Sequence, residues 1–172
     1  GAEPGPACHG KGGTEPTVTD ANVVLGRIDP DFFLGGRVKL DRNAARTAVE
    51  TLAGALDLSV EEAASAIIET VNDNMAIAVR RVTIERGLDY REFDLIAFGG
   101  AGPLHGTELA RSAGMRRTLV PLYPGLCSAF GTVVADVRVE KSVTVGFRSD
   151  DMALSDVADA FAALETQAQA PI

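Results

Sequence analysis

The 172-residue chain has no tryptophan, two histidines (His9 and His105) and two cysteines (Cys8 and Cys127). Two cysteines exclude a disulfide framework, and without Cys-x-x-Cys or His-x-x-x-His spacing there is no ready zinc site. Cys8 and His9 are adjacent, which is poor spacing for one metal, so no metal site is expected. No apolar run approaches the ~20 residues that span a bilayer, and the first residues do not resemble a signal sequence. No membrane partner is expected, and the cytoplasm is the expected compartment. Basic residues are the minority, 16 against 24 acidic for a net charge of −8. That balance argues against a nucleic-acid partner, which needs a basic face to neutralise phosphates. The short pairs Arg80-Arg81 and Arg116-Arg117 read as solvated faces or local ion-pair partners. No Gly-x-Ser-x-Gly elbow, internal repeat or low-complexity tract occurs. No initiator methionine precedes Gly1, and the chain reads like the middle of a longer sequence, so a fragment of a larger protein is expected.

Glycine is concentrated where it matters. Leu95 to Phe98 is a short apolar run suited to a buried strand, and it ends in Gly99-Gly100-Ala101-Gly102. Pro103 suits the first turn of the helix that follows, and Gly114 closes that helix. Strand, glycine turn and helix start bring bare backbone close to a ligand and aim N–H groups at it, although the same arrangement also closes connections where nothing binds. A dinucleotide fingerprint would place its third glycine at His105; the nearest is Gly106, and the next strand ends in Val120-Pro121-Leu122 rather than an acid. A nicotinamide-type site is therefore disfavoured. His105, in the first helical turn, has two readings: a hydrogen bond to nearby backbone, or contact with a ligand held over the loop.

The remaining elements follow from periodicity and caps. Gly1 to Pro16 reads as loop. Thr19 or Asp20 suits the cap of a short helix through Leu25, and Phe32 and Phe33 suit a turn anchored to the core. Asp41 caps a helix to Leu56 with Ala45, Ala48, Val49, Leu52 and Leu56 on one face. Ser59 and Glu62 make a capping box for a long helix to Arg86, whose buried stripe is Ile68, Val71, Met75, Val79 and Val82. Asn72, Asp73 and Asn74 interrupt that helix with residues that compete for its backbone; they either face water or present one asparagine to a cleft, and Asn74 is the candidate. Thr118 to Val120 is expected as a second, parallel strand, Leu126 to Val134 as a helix, Arg138 to Phe147 as an alternating strand, and Ser155 to Gln169 as an amphipathic helix. The resulting class is α/β, helix-rich.

Four segments occur in an order that resembles the hydantoinase A and 5-oxoprolinase family, with the related acetone and acetophenone carboxylase subunits. They are Gly5-Pro6-Ala7-Cys8, Gly12 to Ala21, Phe98 to His105, and Pro124-Gly125 with Ser128-Ala129. The resemblance runs from Gly1 to about Phe147. It implies an ATP-dependent enzyme with the duplicated, ribonuclease H-like fold of acetate kinase, hexokinase and actin, in which ATP lies between two lobes. Two Asp-x-Gly-Gly-Thr loops hold the phosphates there, and a later Gly-Gly loop holds the adenosine. Gly99, Gly100, Ala101 and Gly102 match that later loop and are the expected nucleotide-binding residues. Gly100 and Gly102 are expected to adopt shapes or close approaches that a larger residue would not share.

The departure from the family pattern is informative. Gly12-Gly13-Thr14 follows Gly10-Lys11, with no aspartate and no strand, so both phosphate loops are expected upstream of Gly1 in the whole polypeptide. Residues 1–147 are then a partial ATPase lobe, and residues 148–172 begin a following C-terminal segment. Gly13, Thr14, Glu15, Asp20, Asn74 and His105 are candidate cleft-lining residues, and no catalytic residue is assigned. ATP and Mg would serve the full-length protein, with none tightly bound to the fragment, which is expected to be inactive alone. A hydantoinase B-type subunit or fused domain is the expected partner, and a lobe cut from its partners is expected to expose apolar surface. Alternatives are a subunit of an ATP-dependent ketone carboxylase, or a non-catalytic actin-like nucleotide-binding module.

Overall fold

Capping chemistry sets where the helices begin. In the computed structural model, which describes residues 3–146 and 153–169, Thr17 rather than Thr19 or Asp20 caps helix α1 (Val18–Val24). Asp20 is the third residue of that helix and closes a capping box, its carboxylate accepting from the Thr17 amide at 3.0 Å and hydroxyl at 2.7 Å. Asp41 caps α2 (Arg42–Leu56), accepting from the amides of Asn43 and Ala44. Ser59 and Glu62 form the capping box of α3 (Val60–Ile84). These three helices pack on one another through small residues. Ala21, Val49, Ala53, Ala63, Ala64 and Ile68 form one buried cluster, and Cys8, Val23, Leu40 and Ala45 a second. Alanine at the crossings lets the helix axes approach closely.

The stripes expected on α2 and α3 are buried towards their N-terminal halves and open towards their C-terminal ends. Ala45, Ala48, Val49 and Ile68 are buried, whereas Leu56 and Val82 are exposed. Phe33 packs on the second cluster, with its ring edge-on to His9 at 5.9 Å, but Phe32 lies 70% exposed and anchors nothing.

Strand β1 (Leu95–Ile96), helix α4 (Gly102–Ala113) and strand β2 (Thr118–Leu119) form a parallel βαβ unit in which Leu95 pairs with Thr118 and Ile96 with Leu119. Both strands are shorter than the apolar runs that contain them. A bidentate ion pair between Arg117 and Asp94, at 3.1 and 2.8 Å, ties the residues preceding the two strands and helps fix their register. Helix α4 lies on the sheet through Gly106: a Cβ there would stand 2.6 Å from Ala97 Cβ and 2.9 Å from Thr118 Cγ2. The glycine that arrives one position late for a dinucleotide fingerprint thus serves close helix-to-strand packing. Leu122, Tyr123 and Leu126 are exposed apolar side chains.

Two compact units are distinguished, Gly1–Ser128, which holds everything described so far, and Ala129–Ile172. Helix α5 (Cys127–Val134) follows a 3-10 turn at Pro124–Leu126, and α6 is Leu154–Gln169. The strand expected over Arg138 to Phe147 does not form: residues 138–146 have no regular structure, and Phe147 lies outside the described residues. Val139, Val143 and Val145 alternate as a strand would, but no neighbour among the described residues offers the ladder that would satisfy their backbone. Among the described residues no helix is long and apolar enough to cross a membrane.

Candidate functional site

The N-terminal loop is held by a buried carboxylate. Asp20 is fully buried, and besides its Thr17 contacts it accepts from the amides of Ala7 at 3.2 Å and Cys8 at 2.8 Å. Burial pushes its carboxyl up, but the hydrogen bonds from Thr17 and Cys8 outweigh burial and hold it below the usual carboxylate range. With both oxygens occupied by its own loop, Asp20 does not line a cleft, contrary to the expectation from sequence; four donors converge on it from a turn that would otherwise leave them unpaired. The Cys8 carbonyl accepts from the Asp41 amide at 2.8 Å, joining the same loop to the start of α2. Cys8 is buried and its thiol is pushed up to about 12, first by burial and then by the hydrogen bond and charge of Asp20. Gly13 packs on this loop, where an added Cβ would run into the Gly5 carbonyl, while Thr14 and Glu15 are exposed.

The glycine loop is built differently. Gly99 carries the left-handed backbone, φ +84°, and donates its amide to the Pro124 carbonyl at 2.8 Å. Gly100 and Gly102 lie outside the positive-φ region, which corrects the expectation placed on them, because the single sharp reversal after the strand is completed at Gly99. Gly102 is the first residue of α4, with a Cβ position in ordinary contact, 3.4 Å, with the Ala97 carbonyl carbon. Nothing lies within 4 Å of a Cβ built on Gly100. Ala101 occupies the N-cap of α4 without a side-chain cap, while its carbonyl accepts from the Leu104 amide at 3.0 Å.

Beside this loop lies a cavity of about 230 Å³ lined by Met75 of α3, Leu95 to Phe98, Ala101, Gly102, His105, Gly106 and Leu109. His105 is buried, and its Nδ1 lies 2.9 Å from Asn72 Oδ1. Asn72 Nδ2 donates to Glu108 at 2.9 Å, and Glu108 also takes both arms of Arg27, at 3.0 and 2.7 Å. Burial, reinforced by the Arg27 charge, lowers the His105 pKa. The Arg27 hydrogen bonds hold the Glu108 carboxyl below its ordinary value despite partial burial.

Of the residues singled out from sequence, Ala101, Gly102 and His105 thus meet at one cavity, with Gly99 and Gly100 adjoining in the chain. Gly13, Thr14, Glu15 and Asp20 are not among its lining residues. Asn74 is exposed and lines a separate groove of about 390 Å³ with Val18, Leu52, Leu56 and Ile67. His105 bonds to a side chain rather than to neighbouring backbone. Sequence reasoning does not single out Asn72, Glu108 or Arg27 for this site. The available signal is that Asn72, and not Asn74, falls four residues from both Ile68 and Ala76 on the buried stripe. Among the described residues no group of three or more His, Cys, Asp or Glu side chains could hold a metal.

A helix-rich α/β unit thus carries an open glycine turn beside an apolar cavity. The hydantoinase/oxoprolinase family model matches residues 1–141, and the chain belongs to that family. It is 48% identical over 153 residues to the caprolactamase subunit alpha of Pseudomonas jessenii, covering 88% of this chain and 22% of that protein. It is 44% identical over 138 residues to the acetophenone carboxylase gamma subunit of Aromatoleum aromaticum, covering 80% and 19% respectively. The crystal structure of the ATP-dependent caprolactamase from Pseudomonas jessenii matches with a TM-score of 0.77 at 44% identity, covering 97% of this chain and 25% of that one. The chain therefore spans about a fifth to a quarter of the length of these proteins.

Proposed function

We propose that this chain is part of an ATP-dependent cyclic amidase of the hydantoinase/oxoprolinase type, and that Gly99, Gly100, Ala101 and Gly102 form the adenosine side of its nucleotide cleft. The carrying observation is the match over nearly the whole chain to a protein described as an ATP-dependent caprolactamase. The open approach to Gly100 and an α4 N-terminus without a side-chain cap suit a ligand brought close to backbone. On this reading residues 1–147 are a partial lobe of a duplicated actin-like fold and residues 148–172 begin the next segment. The phosphate loops and Mg site then belong to other parts of the polypeptide, and the fragment neither turns over alone nor holds nucleotide tightly.

When bound, ATP supplies phosphorylation of an amide or ring carbonyl oxygen, with metal and backbone clamping its phosphates. The residues of this chain act by shape: Gly99 reverses the backbone, Gly100 leaves room for the ligand, and Gly106 seats α4 on the strands so that the loop stays put. Of the other candidates, Gly13, Thr14, Glu15 and Asn74 remain cleft-facing only through segments of the whole protein, as their positions lie apart from this cavity. The similarity to a carboxylase subunit supports a second reading, an ATP-dependent ketone carboxylase subunit.

The test is a screen of cyclic amides with ATP, using the full-length protein together with its hydantoinase B-type partner or fused domain. Ring opening coupled to ADP formation without bicarbonate is the expected result. A requirement for bicarbonate with a ketone substrate would favour the carboxylase, and nucleotide binding with neither reaction would favour the non-catalytic module.

A further inference from the structure

The side chains around the cavity offer one polar group, the His105 imidazole, and its protonation is dictated by a chain of hydrogen bonds. A carboxylate only accepts, so Glu108, already holding Arg27, orients the Asn72 amide with Nδ2 towards itself. Asn72 Oδ1 then faces His105 and also only accepts, which requires the imidazole proton on Nδ1. Burial keeps the ring neutral. One proton on Nδ1 leaves Nε2 as a bare lone pair, without a hydrogen-bond partner among the described residues. His105 is 7% exposed. Its cavity neighbours are Met75, Leu95, Ile96, Phe98 and Leu109, together with the backbone of the glycine loop.

We infer that His105 Nε2 is a preset hydrogen-bond acceptor that selects an N–H donor on a flat, apolar-faced ligand seated in this cavity. Resting on the proposed nucleotide reading, the donor is the exocyclic amine of adenine, so His105 discriminates ATP from GTP. Guanine carries a carbonyl oxygen at the corresponding position, and two acceptors facing each other would each lose a partner. Arg27, Glu108 and Asn72 are positioning residues that fix the tautomer.

The test uses the full-length protein and reads equilibrium binding of ATP and GTP, with ¹⁵N imidazole shifts as an independent report. Wild type is expected to prefer ATP, with His105 in the Nδ1–H form. His105→Phe, which keeps a flat ring and loses the acceptor, is expected to reduce the ATP:GTP preference about tenfold. Asn72→Leu, which removes the acceptor facing Nδ1, is expected to free the tautomer and reduce the preference by less. If ATP binds and the preference survives His105→Phe, or if His105 carries its proton on Nε2, the inference is overturned while the nucleotide reading stands. If wild type binds neither nucleotide, both fall. A variant that unfolds is replaced by His105→Gln, whose amide can present an oxygen and should retain part of the preference; equal loss in Gln and Phe variants overturns the acceptor role.

Discussion

Gly106 and Ala97 approach so closely that a Cβ on the glycine would stand 2.6 Å from that of the alanine. This contact, backed by Thr118 on the neighbouring strand, sets the distance between α4 and the sheet. Gly106→Ala is therefore expected to destabilise by about 1–3 kcal/mol through overpacking, despite alanine's better helix propensity. Thermal unfolding checks it, with Gly54→Ala on α2, where nothing lies within 4 Å, as the unstrained control.

Asp20 concentrates four donors on one buried carboxylate. Asp20→Ala is expected to cost about 3 kcal/mol, because the amides of Ala7 and Cys8 lose a charged acceptor. The sign with pH follows from its lowered pKa. The stabilisation is fully present above the unfolded carboxyl value of about 3.9 and is lost as pH falls through the lower folded value. Denaturant unfolding between pH 3 and 7 should show a weaker acid dependence in the variant.

Cys8 is buried beside that carboxylate with its thiol pushed up to about 12, so almost no thiolate exists near neutral pH. In native protein at pH 8, iodoacetamide is expected to modify Cys127, which is partly exposed, well before Cys8. Mass spectrometry of the alkylated peptides reads the order, and denaturant should equalise the two.

His105 is expected to titrate below the ordinary histidine value of about 6.5, since burial and Arg27 both disfavour its charged form and Glu108 opposes them only in part. Above that value the ring is neutral in folded and unfolded chains alike. As pH falls from there through the folded pKa the unfolded chain binds the proton first, so stability declines. His105→Gln should remove that part of the decline, read by comparing unfolding midpoints at pH 7 and 5.

Local rules make much of this legible in the sequence. The capping box at Ser59, the Asp41 cap and the glycine turn are short-range chemistry, the parallel pair around α4 follows from strand, helix and strand in succession, and the ordered motifs are by themselves enough to point to the family. Contacts distant in sequence are not legible in that way. Asp20 has the right spacing for a cap, but nothing local says that Ala7 and Cys8 fold back onto it. The choice between Asn72 and Asn74 depends on which way α3 turns against α4. The alternating valines of residues 138–146 read as a strand because pattern records which faces could be buried and not whether a neighbour is there to pair. Gly99, not Gly100 or Gly102, takes the left-handed turn, a choice that three nearby glycines leave open until the Pro124 contact is known.

Approach of a ligand to the backbone at Gly100 is tested by nucleotide binding to Gly100→Val in the full-length protein. Gly100 is outside the left-handed region and its Cβ position has open space around it, so the substitution should leave the melting temperature nearly unchanged. ATP affinity of that intact protein is expected to fall at least tenfold. Unchanged affinity would contradict such an approach and leave the loop a tight connection between a strand and a helix.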